Sequence, residues 1–170
     1  NEATILEKVV ALVIPDEDQG LIRYQAGELD KGPVPSGQFK KLQKEYPDQA
    51  VSFPRLCNYY YTFNLSDSGI EAFRDVRVRK AMSYAIDRNV ITEDILQAGQ
   101  IPAYTFTPGA TAGFEVPSVA FSKMTQAERD AKAIELMEAA GYGKDNPLSF
   151  TMIYNTSESH KKIATVMAQM

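Results

Sequence analysis

The amino-acid sequence predicts a mixed α/β (α+β) fold, and three observations support this class. Residues 5–14 form an apolar run rich in Val, Leu and Ile that ends at Pro15, which is typical of a mostly buried strand. Residues 125–140 begin with a capping box and continue with a helical pattern. Residues 148–154 alternate between apolar and polar side chains, as a strand does. Strands and helices therefore share one chain of 170 residues, enough for one sizeable domain or two small ones.

The composition is that of an ordinary folded protein, and it excludes several functional classes. Hydrophobic residues make up 44% and charged residues 24% of the chain, which excludes disorder for most of it. The net charge of −4 provides no basic field for phosphate backbones, so nucleic acid is not an expected partner. The longest apolar stretch, at 9–14, is far shorter than the roughly 20 residues of a membrane-spanning helix. The single Cys57 and single His160 predict no internal disulfide, no metal site and no cofactor.

The first third of the chain continues with two predicted helices. Residues 16–25 carry acidic side chains in the first turn, where the helix dipole favours them, and Gly27 follows the last turn. After a connector rich in Pro and Gly, Ser36 is predicted to cap a short basic helix that continues to about Glu45 and stops at Pro47.

Residues 50–65 are rich in aromatic and β-branched side chains, which predicts two extended segments or one bent strand. Alternation divides the side chains between two faces, with Tyr59, Tyr61 and Phe63 on one and Tyr60 and Thr62 on the other. The tyrosines indicate either a packed core or the wall of a ligand site, since tyrosine offers apolar area and a hydroxyl. An extended segment can also present its backbone N–H and C=O groups to a peptide.

The middle of the chain predicts a pair of helices followed by a long connection. Asp75 is a suitable cap for a helix whose apolar stripe consists of Val78, Ala81, Met82, Ala85 and Ile86. A second helix is expected from Asp87 to Gln97, and Gly99 stops it. Residues 101–123 are punctuated by Pro, Thr and Gly and predict extended and loop-like structure.

The last third contains a helix with defined ends, a strand and a final helix. Thr125 and Glu128 form the capping box, and Gly141 stops the helix that continues to Ala140. After the strand at 148–154, a cap is expected from three residues in sequence, Asn155, Thr156 and Ser157.

His160 lies in the first turn of that final helix, where two interpretations are open. The free backbone N–H groups and the helix dipole favour an anion, so the ring could help to bind a carboxylate, or it could be a solvated surface residue. Ser157 is three residues away, which leaves a serine nucleophile with a histidine base as an alternative. The Gly-x-Ser-x-Gly elbow of many such hydrolases is absent from the sequence.

A long motif, FRDVRVRKAMSYAIDR at residues 73–88, resembles the signature helix of the extracytoplasmic peptide-binding proteins of ABC importers. Further matches occur in the same order along the chain: RYQAGELD at 23–30, PAY at 102–104 leading to Thr107 and Pro108, AAGY at 139–142, and YNTS at 154–157 followed by HKK at 160–162. The chain is therefore similar, over essentially all 170 residues, to the oligopeptide-binding branch of the family 5 solute-binding proteins.

The resemblance implies a protein with the periplasmic binding protein type II-like fold, in which two lobes close over a ligand. Residues 1–56 would be the C-terminal part of the α/β segment of the first lobe, and residues 57–170 the N-terminal part of the second. A hinge crossing would lie within 50–65. The chain is expected to be an internal fragment of a longer periplasmic protein whose signal peptide is not part of it, and to lack part of the site.

The resemblance also implies which residues contact a peptide, which family members hold mainly through its backbone and termini. The predicted contacts are Cys57, Asn58, Tyr60, Thr62 and His160. His160 would bind a peptide carboxylate and Tyr60 would line the cleft. Thr62 stands where related proteins can have an acidic residue, and Leu96 where some have a basic one. Related cysteines can pair with a partner further along the chain, so Cys57 is expected to be a free thiol here.

By this resemblance the function is capture of oligopeptides and their delivery to an ABC permease in the membrane, without enzymatic activity. Two alternatives remain: the same fold with another solute, such as nickel, a sugar or a murein peptide, and a serine hydrolase that uses Ser157 and His160. The fragment alone is expected to bind peptide weakly or not at all. It is also expected to self-associate, because its apolar strand faces would be exposed.

Overall fold

A computed structural model describes residues 5–170, and its regular structure there is almost entirely helical. The α-helices are α1 (Glu17–Gln25), α2 (Phe39–Glu45), α3 (Val76–Ala85), α4 (Gln126–Ala139) and α5 (Glu158–Met167). Two short 3-10 helices, Glu71–Arg74 and Ala120–Lys123, and a π-helix, Val90–Leu96, lie between them. Within 5–170 the only β-type pairing is an isolated antiparallel bridge between Gly143 and Asn146.

The strands predicted at 5–14, 50–65 and 148–154 are not formed in the described residues. A strand is completed by ladder hydrogen bonds to a neighbouring strand, and residues 5–170 provide no such neighbour. Val13 is 93% exposed and Ile153 is 85% exposed, although both belong to runs with the composition of buried strands. The described residues therefore do not confirm the mixed α/β class. The apolar runs are typical of buried strands, but nothing among the described residues covers them.

Three predicted helix starts are confirmed, each by a hydrogen bond from the backbone to the capping side chain. The Asp16 carboxylate accepts from Gln19 N at 3.0 Å, and the Asp75 carboxylate accepts from Arg77 N at 2.8 Å. Thr125 and Glu128 form the reciprocal capping box at the start of α4. Such caps satisfy backbone N–H groups that have no partner inside the helix.

The predicted cap at Ser36 is wrong, because Ser36 is engaged elsewhere. Its backbone N and Oγ both donate to Glu17 Oε2, at 3.0 and 3.2 Å, which ties the connector to α1. Helix α2 begins instead after Gln38, whose side chain makes no capping bond.

The helix predicted from Asp87 to Gln97 is present in part as the π-helix Val90–Leu96. Asp87 Oδ1 accepts from Asn89 N at 3.0 Å, just before this helix. Gln97 takes a left-handed conformation with φ of 58°, which ends the helix two residues before Gly99.

A small core joins the first third of the chain to the end of the π-helix. Phe39, Leu42 and Ala50 are buried together, and Ala98 packs against them. Two hydrogen bonds reinforce this contact, from Gly37 N to Leu96 O at 3.2 Å and from Ser52 Oγ to Ala98 O at 2.8 Å. This contact joins residues on both sides of the predicted domain boundary between 1–56 and 57–170. The boundary itself stays a prediction.

A second core lies between α3 and α4, which pack against each other. Val78 and Ala81, in the predicted apolar stripe of α3, are buried with Ala133 of α4. The other stripe residues, Met82, Ala85 and Ile86, are half-buried. Arg77 Nη1 donates to Ala139 O at 2.5 Å and so joins the start of α3 to the end of α4.

Two arginines organise the segment that follows the π-helix. Arg88 donates to Ala103 O at 2.9 Å, and its guanidinium carbon lies 4.9 Å from the centre of the Tyr104 ring. Arg129, which is buried, lies 5.8 Å from the same ring and donates to Met124 O at 2.6 Å. Burial lowers the pKa of Arg88. These contacts fix the position of Tyr104 and thereby of the residues just after it.

Candidate functional site

The tyrosine-rich segment, residues 50–65, contacts the start of α5 through two stacked rings. The His160 imidazole lies on the Tyr59 ring, with the ring centres 4.4 Å apart and the planes inclined by 29°. The Tyr59 hydroxyl donates to the Tyr61 hydroxyl at 3.0 Å. Tyr59 and Tyr61 thus contact each other, as expected for alternate residues of an extended segment. The stack places His160 against one face of that segment.

Asn155 holds the other side of the His160 ring. Its Oδ1 accepts from Ser157 N at 3.1 Å and lies 2.7 Å from His160 Nδ1. Helix α5 begins immediately after Ser157, so the same side chain organises the helix start and contacts the ring in its first turn. His160 is therefore restrained from two sides.

The tyrosine behind the stack remains a neutral phenol over the ordinary pH range. Burial raises the pKa of Tyr61 above its usual value, and the hydrogen bond and the charge of Tyr59, followed by the charge of Tyr154, raise it further. Tyr61 therefore offers an uncharged hydroxyl to the cluster, which suits hydrogen bonding to a polar ligand.

The opposite face of the segment carries a second aromatic pair. The rings of Tyr60 and Phe106 meet edge to face, with centres 5.0 Å apart. Asn58 Nδ2 donates to Thr105 O at 3.0 Å and to Phe106 O at 2.8 Å, which holds residues 105–106 against the segment. Tyr60 is 54% and Phe106 is 71% exposed, so both rings remain available to a ligand.

The five predicted contact residues thus differ in their surroundings. His160 lies with Tyr59, whereas Tyr60 lies with Phe106, so the structure does not pair the two strongest candidates directly. Asn58 is committed to the backbone of 105–106. Cys57 and Thr62 are exposed, and in the part of the chain that is described the Cys57 thiol is free.

The geometry gives no support to a serine nucleophile. Ser157 Oγ is hydrogen-bonded to Ser159 Oγ at 2.9 Å, and the hydrogen bond that His160 makes within the described residues is to Asn155. A nucleophile and its base would have to be hydrogen-bonded to each other. Among residues 5–170 there is also no group of three or more His, Cys, Asp or Glu side chains that could hold a metal ion. None of the helices described there is long and apolar enough to cross a membrane.

A solvent-open cavity of about 400 Å³ lies elsewhere, between α1 and the region after α2. Tyr24, Tyr46 and Gln49 are among its lining residues, and Tyr24 donates to Gln49 Oε1 at 2.8 Å across it. Neither the tyrosine-rich segment nor α5 contributes to this cavity. The aromatic cluster is therefore the stronger candidate site, since Tyr59 and Asn155 converge there on a titratable group, His160.

Sequence reasoning missed three residues of this cluster: Tyr59, Phe106 and Asn155. The alternation places Tyr59 with Tyr61 and Phe63 on the face opposite Tyr60, but its contact with α5 is long-range and has no local pattern. Phe106 lies in a loop whose sequence pattern does not indicate a contact with Tyr60. Asn155 was interpreted as a helix cap, and its five-residue spacing to His160 was the one local feature that could have revealed the second contact.

Comparison with known proteins identifies relatives along the entire sequence. The family of bacterial extracellular solute-binding proteins, family 5 Middle, matches residues 1–170. The periplasmic murein peptide-binding protein MppA of Escherichia coli (strain K12) is 44% identical over 171 residues, which cover 100% of this chain and 31% of that protein.

Two solved structures are similar to the described fold. That of the Escherichia coli murein tripeptide binding protein MppA matches with a TM-score of 0.87 at 43% identity, over 93% of this chain and 31% of that one. The Haemophilus influenzae OppA complex with RPPGFSPFR matches with a TM-score of 0.75 at 38% identity, over 90% and 30%. The chain thus spans about 31% of the length of MppA. The resemblance found in the sequence is confirmed, and the chain belongs to family 5 of the bacterial extracellular solute-binding proteins.

Proposed function

We propose that this chain is part of a periplasmic solute-binding protein that captures oligopeptides and delivers them to an ABC permease. The observation that carries the proposal is the cluster on the tyrosine-rich segment, where His160 stacks on Tyr59 while Tyr60 and Phe106 stay exposed on the other face. The cluster combines apolar area, neutral hydroxyls and one titratable ring. These are the groups that can hold a peptide without depending on its sequence.

The backbone of the same segment supports a peptide ligand. Among residues 5–170, the main-chain groups of 57–63 make no hydrogen bond to another part of the chain. An extended segment with available N–H and C=O groups can bind a second extended chain by strand addition. Binding through backbone groups would accept many peptide sequences, because these groups are common to all peptides.

In the full protein we place residues 1–56 in the first lobe and residues 57–170 in the second lobe of a type II-like fold. The strand patterns at 5–14, 50–65 and 148–154 would then be completed by neighbouring strands of the longer chain. Closure of the lobes would bury the ligand, and the permease and its ATPase would supply the energy of transport. Catalysis forms no part of this function.

A murein peptide is the second candidate ligand, since the relative that is 44% identical is a murein peptide-binding protein. An oligopeptide receptor and a murein peptide receptor would share the backbone contacts and differ in the pockets for side chains. Nickel has less support, because among residues 5–170 no group of three or more His, Cys, Asp or Glu side chains could hold a metal ion.

Native mass spectrometry of the full-length protein, purified without denaturation, tests the proposal. We expect a series of bound masses that correspond to a mixture of peptides, and a murein peptide receptor would instead retain one defined species or none. A bound nickel ion or sugar, together with no exchange against added tripeptides to pentapeptides, would contradict the proposal.

We also propose that the 170-residue chain by itself self-associates. Ile5 is 90% exposed, and Ile101 and Val13 are similarly uncovered, so large apolar side chains are available for contact between copies. Light scattering at increasing concentration should show a rising apparent mass. A monomer at every concentration would contradict this expectation.

A further inference from the structure

One terminal atom of the Asn155 side chain contacts two nitrogen atoms, and the first of these contacts identifies the atom as the oxygen. Ser157 N can only donate, so the Asn155 atom 3.1 Å away must be the carbonyl oxygen rather than the amide nitrogen. The same Oδ1 atom lies 2.7 Å from His160 Nδ1. A carboxamide oxygen only accepts, so His160 Nδ1 must carry the proton of that hydrogen bond.

This assignment fixes the chemistry of the other ring nitrogen. A neutral imidazole carries one proton, so the proton on Nδ1 leaves Nε2 with a free lone pair. The stack on Tyr59, with centres 4.4 Å apart, holds the plane of the ring. Within the described residues Nε2 makes no hydrogen bond. The ring is therefore fixed in tautomer and in plane, with one nitrogen available to a ligand.

We propose that Asn155 is a positioning residue that holds His160 in the Nδ1–H tautomer, so that Nε2 is the atom that meets the ligand. This inference rests on the proposed function and goes further by naming the ligand-binding atom and the residue that selects it. The neutral ring can accept a hydrogen bond at Nε2 from a ligand N–H or O–H. A ligand carboxylate can bind there only when Nε2 takes up a proton, because a lone pair repels a carboxylate.

The surroundings suit both states of the ring. After protonation, Nδ1–H still donates to Asn155, and the Tyr59 ring face lies against the cation. The titratable groups on the neighbouring elements include Tyr59, Tyr61 and Tyr154, and on α5 Glu158 and Lys161, whose charged atoms lie 3.9 Å apart, and Lys162, which donates to Ser36 O at 3.4 Å. Binding of a peptide carboxylate to the neutral ring is thus coupled to the uptake of one proton.

Long-range ¹⁵N–¹H NMR of the peptide-free, full-length protein measures the tautomer directly, at a pH where His160 is neutral. We expect a protonated Nδ1 and an unprotonated Nε2 in the wild type. Asn155→Ala should shift the pattern toward a proton on Nε2, whereas Asn155→Asp keeps the acceptor and should preserve the Nδ1–H form. Thr156→Ala, an exposed neighbouring change, serves as the matched control and should leave the pattern unchanged.

A protonated Nε2 in the wild-type protein would overturn the inference even if no variant folds. So would an Asn155→Ala spectrum identical to that of the wild type. Because this measurement uses no peptide, its outcome is separate from that of the proposed function. Calorimetry in buffers of different ionisation enthalpy then measures proton uptake when a free-acid peptide binds at that pH: the wild type should take up a proton and Asn155→Ala should take up less, and equal uptake by both would contradict the positioning role.

Discussion

The α3–α4 pair and the tyrosine-rich segment at 50–65 use apolar side chains in opposite ways. Val78 and Ala81 of α3 are buried where α3 packs against α4, and the helix interiors hydrogen-bond within themselves. In the segment, Val51, Phe53 and Leu56 are more than 60% exposed. The helix pair buries its apolar side chains within the described residues, whereas the extended segment leaves its own exposed. The helix pair is therefore the scaffold, and the segment is the surface that meets something else.

The largest expected effect tests the scaffold. Val78→Asp should lower the free energy of unfolding by at least about 3 kcal/mol, because it places an unpaired carboxylate in a fully buried site. Urea unfolding of the full-length protein measures this change. Val76→Asp, at a half-exposed position on the same helix, is the matched control and should change stability by less than about 0.5 kcal/mol. An equal loss of stability in the two variants would contradict the role of the buried α3 side chains as the scaffold.

Tyr60→Ala tests the segment as a binding surface. We expect peptide affinity to fall roughly tenfold or more, since truncation of an aromatic contact residue commonly costs more than about 1.4 kcal/mol. Stability should change little, because the ring is more than half exposed. Val51→Ala, also exposed on this segment, is the control and should leave calorimetric affinity unchanged. A stability loss without a loss of affinity would make Tyr60 a core residue instead.

Removal of a local cap should have a smaller effect on the scaffold. Thr125→Ala eliminates the side-chain acceptor for Glu128 N, and a loss of about 1 kcal/mol in unfolding free energy is expected. Thermal unfolding compares it with Thr151→Ala, an exposed threonine outside any helix. If the two variants melt together, the capping box contributes nothing to the stability of α4.

The smallest expected effect is the pH dependence of the α3 cap. Hydrogen bonds from the Arg77 side chain and backbone lower the pKa of Asp75 below its usual value. A carboxylate with a depressed folded-state pKa stabilises above its unfolded pKa, and the contribution disappears as the pH falls through the folded pKa. The stability difference between wild type and Asp75→Asn should therefore be present at neutral pH and shrink in acid. A difference that grows in acid would reverse the assignment.

Features that depend on neighbouring residues were predictable from the sequence, whereas features that depend on distant residues were not. The caps at Asp75 and Thr125 were predictable because each depends on residues within four positions. The cap at Ser36 was wrong because a residue 19 positions away, Glu17, competes for it. The strands were not formed because their ladder partners are not among residues 5–170.

The candidate site was predictable only where the family motif supplied the position. His160 and Tyr60 were identified through the resemblance, and whether they bind a ligand stays a prediction. The stack of Tyr59 on His160 joins positions 101 residues apart, so no local pattern could reveal it. Phe106 was unpredictable for a similar reason, since its place beside Tyr60 depends on Asn58.

The most direct test of the account compares the full-length protein with the isolated 170-residue chain by calorimetry. Both are titrated with the same pool of tripeptides to pentapeptides that have free C-termini. We expect micromolar or tighter binding, equivalent to about −8 kcal/mol or more, for the full-length protein and weak or no binding for the isolated chain. Absence of binding by the full-length protein would contradict the peptide-binding function, and equal binding by both would contradict a site shared with the rest of the protein.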